Sequence, residues 1–579
     1  MMAFDAHQDV PVRSPGGYMH SKYQAKHLLI AVILAVSLVA AACGSKKSDD
    51  AGGKTAASAG STDITQSSSG APKVGGTLNF ALSAESDGWD PTKNRWSTEG
   101  TNVGLAVFDP LAAYDANAIA QPYLAESFKP NADFTVWTIT LRSGVTFSDG
   151  SPLTAAVLKT IFDAHKASAL THPAVADLDS VTVTGDLTAD FKMKEPWASF
   201  PSSLTGQLGM VPSPNQLADP NGSQKAIGTG PFTMTSWVPD SKVITVKNKT
   251  YWRKDENGVQ LPYLDGVDFS VIPEPDSAVD AVLSGQIDEG ATSIPSAVKK
   301  IDTAASAGQL QRVEAQGQTE SAFAMMNQAA PPFDNITARQ ALAAATDSAA
   351  YRAAVDQNVT LPVHQVFREG TPYYADSPFP APDPEQAKQL VAQYTQETGK
   401  PLSFTFLTDS TNSGALQAQF LKSEWDAAGM DVTVKQEDQA SQIADAVLGN
   451  YQVTGWGQFG SPDPDYDYVW WIGDNAAPVG QLGLNIARNK DPVIDAALRA
   501  ARATDDPTVR KAQYKIFSDQ LNKDVAYIWL ARGRYLLYAA NSVRGMTQGP
   551  LPDGQPSYPL GGPGGFGLAV RLTQTWLDK

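Results

Sequence analysis

Cysteine is almost absent: Cys43 is the only one in 579 residues. A lone thiol excludes any disulfide within the chain and any thiolate-rich metal site. Histidine is scarce too. Beyond the first 42 residues only His165, His172 and His364 remain, at no metal-ligand spacing, so neither a metal nor another cofactor is expected. Positive charge is in deficit, with 44 Lys and Arg against 61 Asp and Glu and a formal net charge of −17. That balance excludes nucleic acid, because nothing would neutralise its phosphates, and it mildly favours cations near the surface. The apolar run at residues 28–42 is shorter than the roughly 18 residues a membrane-spanning helix needs. Catalytic signatures are missing as well, with neither a G-x-S-x-G elbow nor a phosphate-binding P-loop. Gly562, Gly564 and Gly567 match G-x-G-x-x-G, but Pro563 sits inside the motif and no helical pattern follows, so the run is read as a loop.

What is present begins with export. Lys22 and Lys26 precede the apolar run, which ends in Ala40-Ala41-Ala42-Cys43-Gly44-Ser45. This is the layout of a signal peptide over residues 1–42, with Met19 as an alternative start. The small residues before Cys43 resemble a lipobox, apart from Ala40 where Leu is usual. Cys43 is therefore expected to carry lipid and hold the chain on the outer face of the cell membrane. Residues 43–73 are dominated by Gly, Ser, Ala, Thr, Asp and Lys and are expected to form a flexible tether.

From Val74 onward the composition is that of a globular α/β protein, and the length suggests three or four units of ordinary domain size. Leu78, Phe80 and Leu82 fall at every second position, and Trp137, Ile139 and Leu141 alternate with Thr138 and Thr140, which predicts half-buried strands. Further strands are predicted at 244–246, 267–271 and 430–434. Helices interleave with them. Asp383-Pro384 and Asp491-Pro492 place a capping residue before a proline suited to the first helical position. Asp276-Ser277 and Gly285 are read as the start and stop of another helix, and Gly429 ends one carrying Leu421 and Trp425. Gly144, Gly150 and Gly230 are expected at turns with unusual backbone angles, and Arg142 in an ion pair.

Six segments, in order, carry a resemblance. They are Gly75-Gly76-Thr77-Leu78 with Trp89-Asp90-Pro91; residues 124–128, 137–142 and 144–155; Gly228-Thr229-Gly230-Pro231-Phe232 with Tyr251-Trp252; Ser284-Gly285-Gln286-Ile287-Asp288; Asn327 with 331–334 and 339–342; and Gly455-Trp456-Gly457 with Asp463-Pro464-Asp465. Together they resemble the extracellular solute-binding proteins of family 5, the peptide-binding lipoproteins of ABC importers. The resemblance implies a two-lobed α/β fold of the type II periplasmic-binding-protein kind with an extra inserted subdomain. The first lobe is expected at about 74–315 and again at 529–579, the insertion at about 116–205, and the second lobe at 316–528.

The same resemblance implies a monomer that takes a peptide or other polar solute into the interlobe cleft and delivers it to permease subunits in the membrane. A sensory lipoprotein on the same fold is the alternative, and a cell-surface hydrolase a weaker one for want of any catalytic motif. Candidate ligand contacts are Trp456, Phe459, Gly460 and Asp463 after the Gly-Trp pair, Trp89 on the opposite wall, and Asp409. Trp456 is equally readable as a core aromatic. Asp465, Tyr466, Asp467, Trp470 and Trp471 are assigned to packing. Peptide-specific relatives place an Asp shortly after Gly-Trp for the free amine, and dipeptide binders an Arg in a second-lobe loop. Here residues 457–462 hold no acid and 408–412 no Arg, so a free dipeptide is not the expected ligand.

Overall fold

The computed structural model describes residues 63–64, 70–94, 96–558, 560 and 568–579. The signal segment, Cys43 and the glycine-rich 562–567 lie outside these residues. Within the stretch read as tether, Asp63–Ile64 pairs antiparallel with Val313 and Glu314.

Among the described residues the first lobe is built on an eight-stranded mixed sheet. Its centre is Thr77–Leu82, parallel to both Gly266–Val271 and Glu289–Thr292. The predicted alternation is realised: Leu78, Phe80 and Leu82 are buried against Val267, Phe269 and Leu537. Apolar side chains on one face of a pleated strand can leave water only together, which fixes the register.

The inserted unit has its own four-stranded antiparallel sheet in the order Ala125–Pro130, Val136–Leu141, Thr188–Met193, Leu178–Val183. The helix Ala155–Ala167 covers it through Leu158, Ile161 and Phe162. Its core extends from Leu111 to Val211, wider at both ends than residues 116–205.

The second lobe is a five-stranded sheet in the order Asp431–Glu437, Ser403–Asp409, Val453–Gln458, Ser321–Met326, Tyr527–Arg532. Helix Asn412–Ala427 packs Leu421 and Trp425 onto it. Tyr527–Arg532 pairs with residues 321–325, with a register shift between Ala322 and Phe323, so the boundary expected at 528/529 falls inside a strand. The chain leaves the second sheet only after Arg532, because its backbone groups up to that point are spent on the ladder.

Three local expectations are corrected. The helix expected from Asp276 starts at Pro275, with Glu274 in the cap position and Asp276 inside the first turn. Gly144 and Gly150 have φ of +75° and +86°, but Gly230 is a glycine for a different reason: a Cβ there would lie 2.5 Å from the Val107 backbone. Arg142 donates from Nε to the Tyr123 carbonyl at 2.7 Å and lies over the Trp252 ring, a cation–π contact instead of an ion pair.

One buried group in the first sheet sets a pH limit on stability. Glu289 is fully enclosed and neither carboxyl oxygen has a hydrogen-bond partner. Burial, with some help from Asp288, raises its pKa from 4.5 to about 8. The folded chain thus holds a proton that the unfolded chain releases above about pH 4.5, so this contribution is full below that pH and lost as pH rises through 8. Glu289→Gln is expected to raise the melting temperature by about 1–4 °C at pH 9 and by almost nothing at pH 4. Calorimetric melts at the two pH values check this; an equal shift at both would show that ionisation is not the cause.

Candidate solute cleft between the lobes

Two crossover segments, 315–320 and 533–535, join the sheets, and they define which strand ends face each other. On the first lobe these are the C-terminal ends of Thr77–Leu82, Glu289–Thr292 and Gln311–Glu314. On the second they are the start of Ser321–Met326 and the ends of Ser403–Asp409, Val453–Gln458 and Tyr527–Arg532. The crossovers bind each other: Gly533 N–H donates to Glu320 O and Ala315 N–H to Tyr535 O, both at 3.0 Å. Arg534 is held by Glu314 and Asp302 at 2.6 and 2.8 Å, and buried Arg532 donates to the carbonyls of Thr319, Gln365 and Val366. Burial, with Arg368 nearby, lowers the pKa of Arg532 to about 9. Tyr558 covers this hinge so closely that a Cβ on Gly317 would sit 1.4 Å from its hydroxyl.

A second set of contacts fastens the inserted unit to the second lobe. Arg502, on helix Pro492–Arg502, donates to Asp465 at 2.8 Å within its own lobe and to Asp177 of the insertion at 2.7 Å. Its guanidinium lies between the rings of Trp197 and Tyr468, 4.2 and 3.3 Å from their centroids. Trp197 Nε1–H donates to Asp465 at 2.7 Å, Ala198 N–H to Arg502 O at 2.7 Å, and Ser202 to Asp463 at 3.0 Å. Asp463 is also clasped by Arg510 at 2.6 Å. Burial would push the Asp465 carboxyl up, but Arg502 and its hydrogen bonds outweigh this and hold it below the usual range.

Between hinge and latch lie acids without such partners. Asp467, 4% exposed, accepts a long bond from Ser461 N–H, at 3.4 Å, with the Ser461 side chain also acting on it. Burial raises it to about 8, with the charges of Glu320 and Asp463 acting in the same direction. Glu320, on the first crossover, accepts from Tyr535 at 2.5 Å; burial raises it to about 7, opposed by that bond and reinforced by Glu99. Glu99, in the first turn of Thr98–Val107, is bridged to Ser83 and Ser97. Tyr114, 3% exposed, has no hydrogen-bond partner of good geometry, although Ser202, Thr205, Asp463 and Tyr466 surround it.

The residues singled out from sequence scatter across this frame. Trp456 is partly buried at the end of its strand and donates to Gln458. Gly460 is buried. Phe459, at φ +73°, turns its ring inward to stack on Phe323 with centroids 5.3 Å apart, so it is core and not a ligand contact. Trp89 is fully buried against Trp96 and Trp237 in the first-lobe core and does not line the cleft. Asp409 caps its own loop through Thr411, and Asp463 is occupied by Arg510 and Ser202. Asp467, assigned to packing, is buried, and the charge of Glu320 on the first crossover acts on it. Glu320, Glu99 and Tyr114 carried no sequence signal, being single polar residues whose meaning comes from neighbours distant in the chain.

Among the described residues no group of three or more His, Cys, Asp or Glu side chains is arranged to hold a metal ion, and no helix is long and apolar enough to cross a membrane. The chain is 25% identical over 524 residues to the di/tripeptide-binding protein 2 of Pseudomonas aeruginosa, covering 82% of this chain and 93% of that one. It is 24% identical over 461 residues to the nickel-binding periplasmic protein of Escherichia coli, covering 73% and 83%. The fold is similar to that of the PBP AgaA of A. tumefaciens R10, solved with agropinic acid: TM-score 0.73, 23% identity, 87% of this chain and 99% of that one. Residues 120–478 match the model of the middle part of the bacterial extracellular solute-binding proteins, family 5, and the chain belongs to that family of solute-binding transport proteins.

Proposed function

We propose that the chain captures a peptide-like or other polar solute in the interlobe cleft, closes on it, and presents it to the membrane permease of an ABC importer, while lipid on Cys43 keeps it at the cell surface. The observation that carries this reading is the frame itself: two sheets joined by two short crossovers that bind each other, with the inserted unit fastened to the second lobe through Arg502 and Asp177. Such a frame suits capture of a solute between the lobes. The relatives' names span di/tripeptides and nickel, so family membership alone does not choose the solute.

A free dipeptide fits poorly. Its carboxylate needs a cation, and the arginines at the cleft are engaged: Arg502 and Arg510 by aspartates, Arg534 by Asp302 and Glu314, Arg368 and Arg532 by carbonyls. A buried carboxylate without a partner is costly. Calorimetry with free dipeptides is expected to show no micromolar binding that depends on the terminal carboxylate. Denaturing the protein purified from its host and identifying what is released by mass spectrometry tests solute capture directly; a protein that releases nothing and binds nothing would overturn it.

Closure is expected to depend on the latch as well as on solute. Asp177→Ala removes one charge-assisted partner of Arg502, worth about 1.5–3 kcal/mol, and so shifts the open-to-closed ratio roughly tenfold or more toward open. Small-angle scattering should show a larger radius of gyration for the solute-free variant than for the wild type. An unchanged radius would show that Asp177 does not hold the lobes.

Attachment is checked by Cys43→Ser. Stable anchoring needs more than one acyl chain, all of it lost with the thiol, so the variant is expected to leave the membrane fraction. Equal membrane retention of variant and wild type would rule the anchor out.

A further inference from the structure

We propose that the outer edge of the first-lobe sheet is a docking strip for the chain's own tether, which pairs there through Asp63–Ile64 and so joins the body beside the first crossover. The inference rests on the reading of residues 43–73 as a tether and specifies where that tether is fastened.

Strand Gln311–Glu314 is paired with Leu536–Ala539 along one side. Among the described residues its other side carries Asp63–Ile64 alone, so without that segment it would be the outermost strand of the sheet. An outermost strand presents unpaired N–H and C=O groups to any extended chain that reaches it. The register sets Asp63 opposite Glu314 and Ile64 opposite Val313. Because the pair is antiparallel, the chain followed backwards from Ile64 to Asp63 advances toward Glu314, the last residue before the crossover 315–320. Val74 lies elsewhere, ahead of Thr77 at the end of its strand remote from the cleft. Docking therefore moves the point where the tether meets the body from the far pole of the first lobe to the hinge.

The sequence points to the same segment independently. Ile64 is the only large apolar residue between Gly44 and Lys73, and Thr62 and Thr65 near it are β-branched. Such residues favour an extended chain, in contrast to the Gly, Ser and Ala around them. A second fastening holds the near end: Lys73 Nζ lies 2.7 Å from Asp578, and Gly70 lies against Trp576, where a Cβ would be 3.4 Å from the ring. Ile64 comes only six residues before Gly70. Closing so short a loop costs little entropy, and the effective concentration of the segment at the edge is high, so two paired residues suffice. Charge agrees with the register. Asp63 falls opposite an acid, but Arg312 and Arg534 reach Glu314 at 3.1 and 2.6 Å and supply two positive charges there. Fastening at the hinge has a mechanical consequence. Points on a rotation axis move least when the lobes turn, so the cleft opens and closes without pulling on the membrane anchor.

The test uses the full chain. Amide hydrogen exchange, read by mass spectrometry and corrected for intrinsic rates, compares residues 60–66 with residues 46–56 of the same tether. The first stretch is expected to exchange at least about tenfold more slowly than the second. Ile64→Pro removes a backbone donor and should bring the two to the same rate with the melting temperature unchanged. Spin labels at Thr62→Cys and at Ser306→Cys, on the helix Pro295–Ser306, are placed in a Cys43→Ser background that has no other thiol. They should give one narrow distance, which Ile64→Pro broadens. Equal exchange in the two wild-type stretches would overturn the docking and leave the lipid anchor standing. Membrane retention of Cys43→Ser would overturn the anchor, and slow exchange at 60–66 in that variant would still support the docking. Protection that appears only as protein concentration rises would assign the edge to a second copy of the chain and overturn the tether's place on it.

Discussion

Asp463 and Asp465 are buried at the meeting of the lobes, and each is paired with an arginine, 47 and 37 residues further on, that reaches back to it. Removing either partner would strand an ion away from water, a penalty of several kcal/mol. The geometry of the cleft hangs on this constraint. Arg502 and Arg510 stand on consecutive helices, Pro492–Arg502 and Pro507–Lys523, so the pairs fix where both helices lie beneath the 463–471 loop. That loop in turn presents Trp471 and Tyr468 to the second-lobe core and Asp463 and Asp465 to the insertion. Because Trp197 and Ser202 bind the same two aspartates, the ions that organise the second lobe also record where the first lobe is.

Hinge and latch divide the work by distance along the interface. The crossovers are short, hydrogen-bonded to each other and anchored by Arg532 and Arg534, so the lobes meet along a stiff line with little freedom to slide. The insertion contacts the second lobe away from that line, through side chains whose bonds are remade easily in water once the gap opens. Rotation about the hinge is therefore the soft motion, and the closed state is favoured by the sum of the latch and whatever fills the cleft.

Much of the scaffold was legible in the residues. Alternation at 78, 80 and 82 and at 137, 139 and 141 marked strands because one sheet face is dry. Asp383-Pro384 and Asp491-Pro492 marked helix starts because both Asp side chains accept from the following backbone N–H groups. The cleft was much less legible. Trp89 and Phe459 were chosen for being aromatic near a motif, but burial of a large ring in a core is the commoner fate, and the left-handed turn at Phe459 that sends it inward leaves no compositional trace. Asp463, Asp465 and Asp467 look alike in sequence. Which of them is neutralised depends on arginines brought in by tertiary folding, and spacing along the chain does not report that.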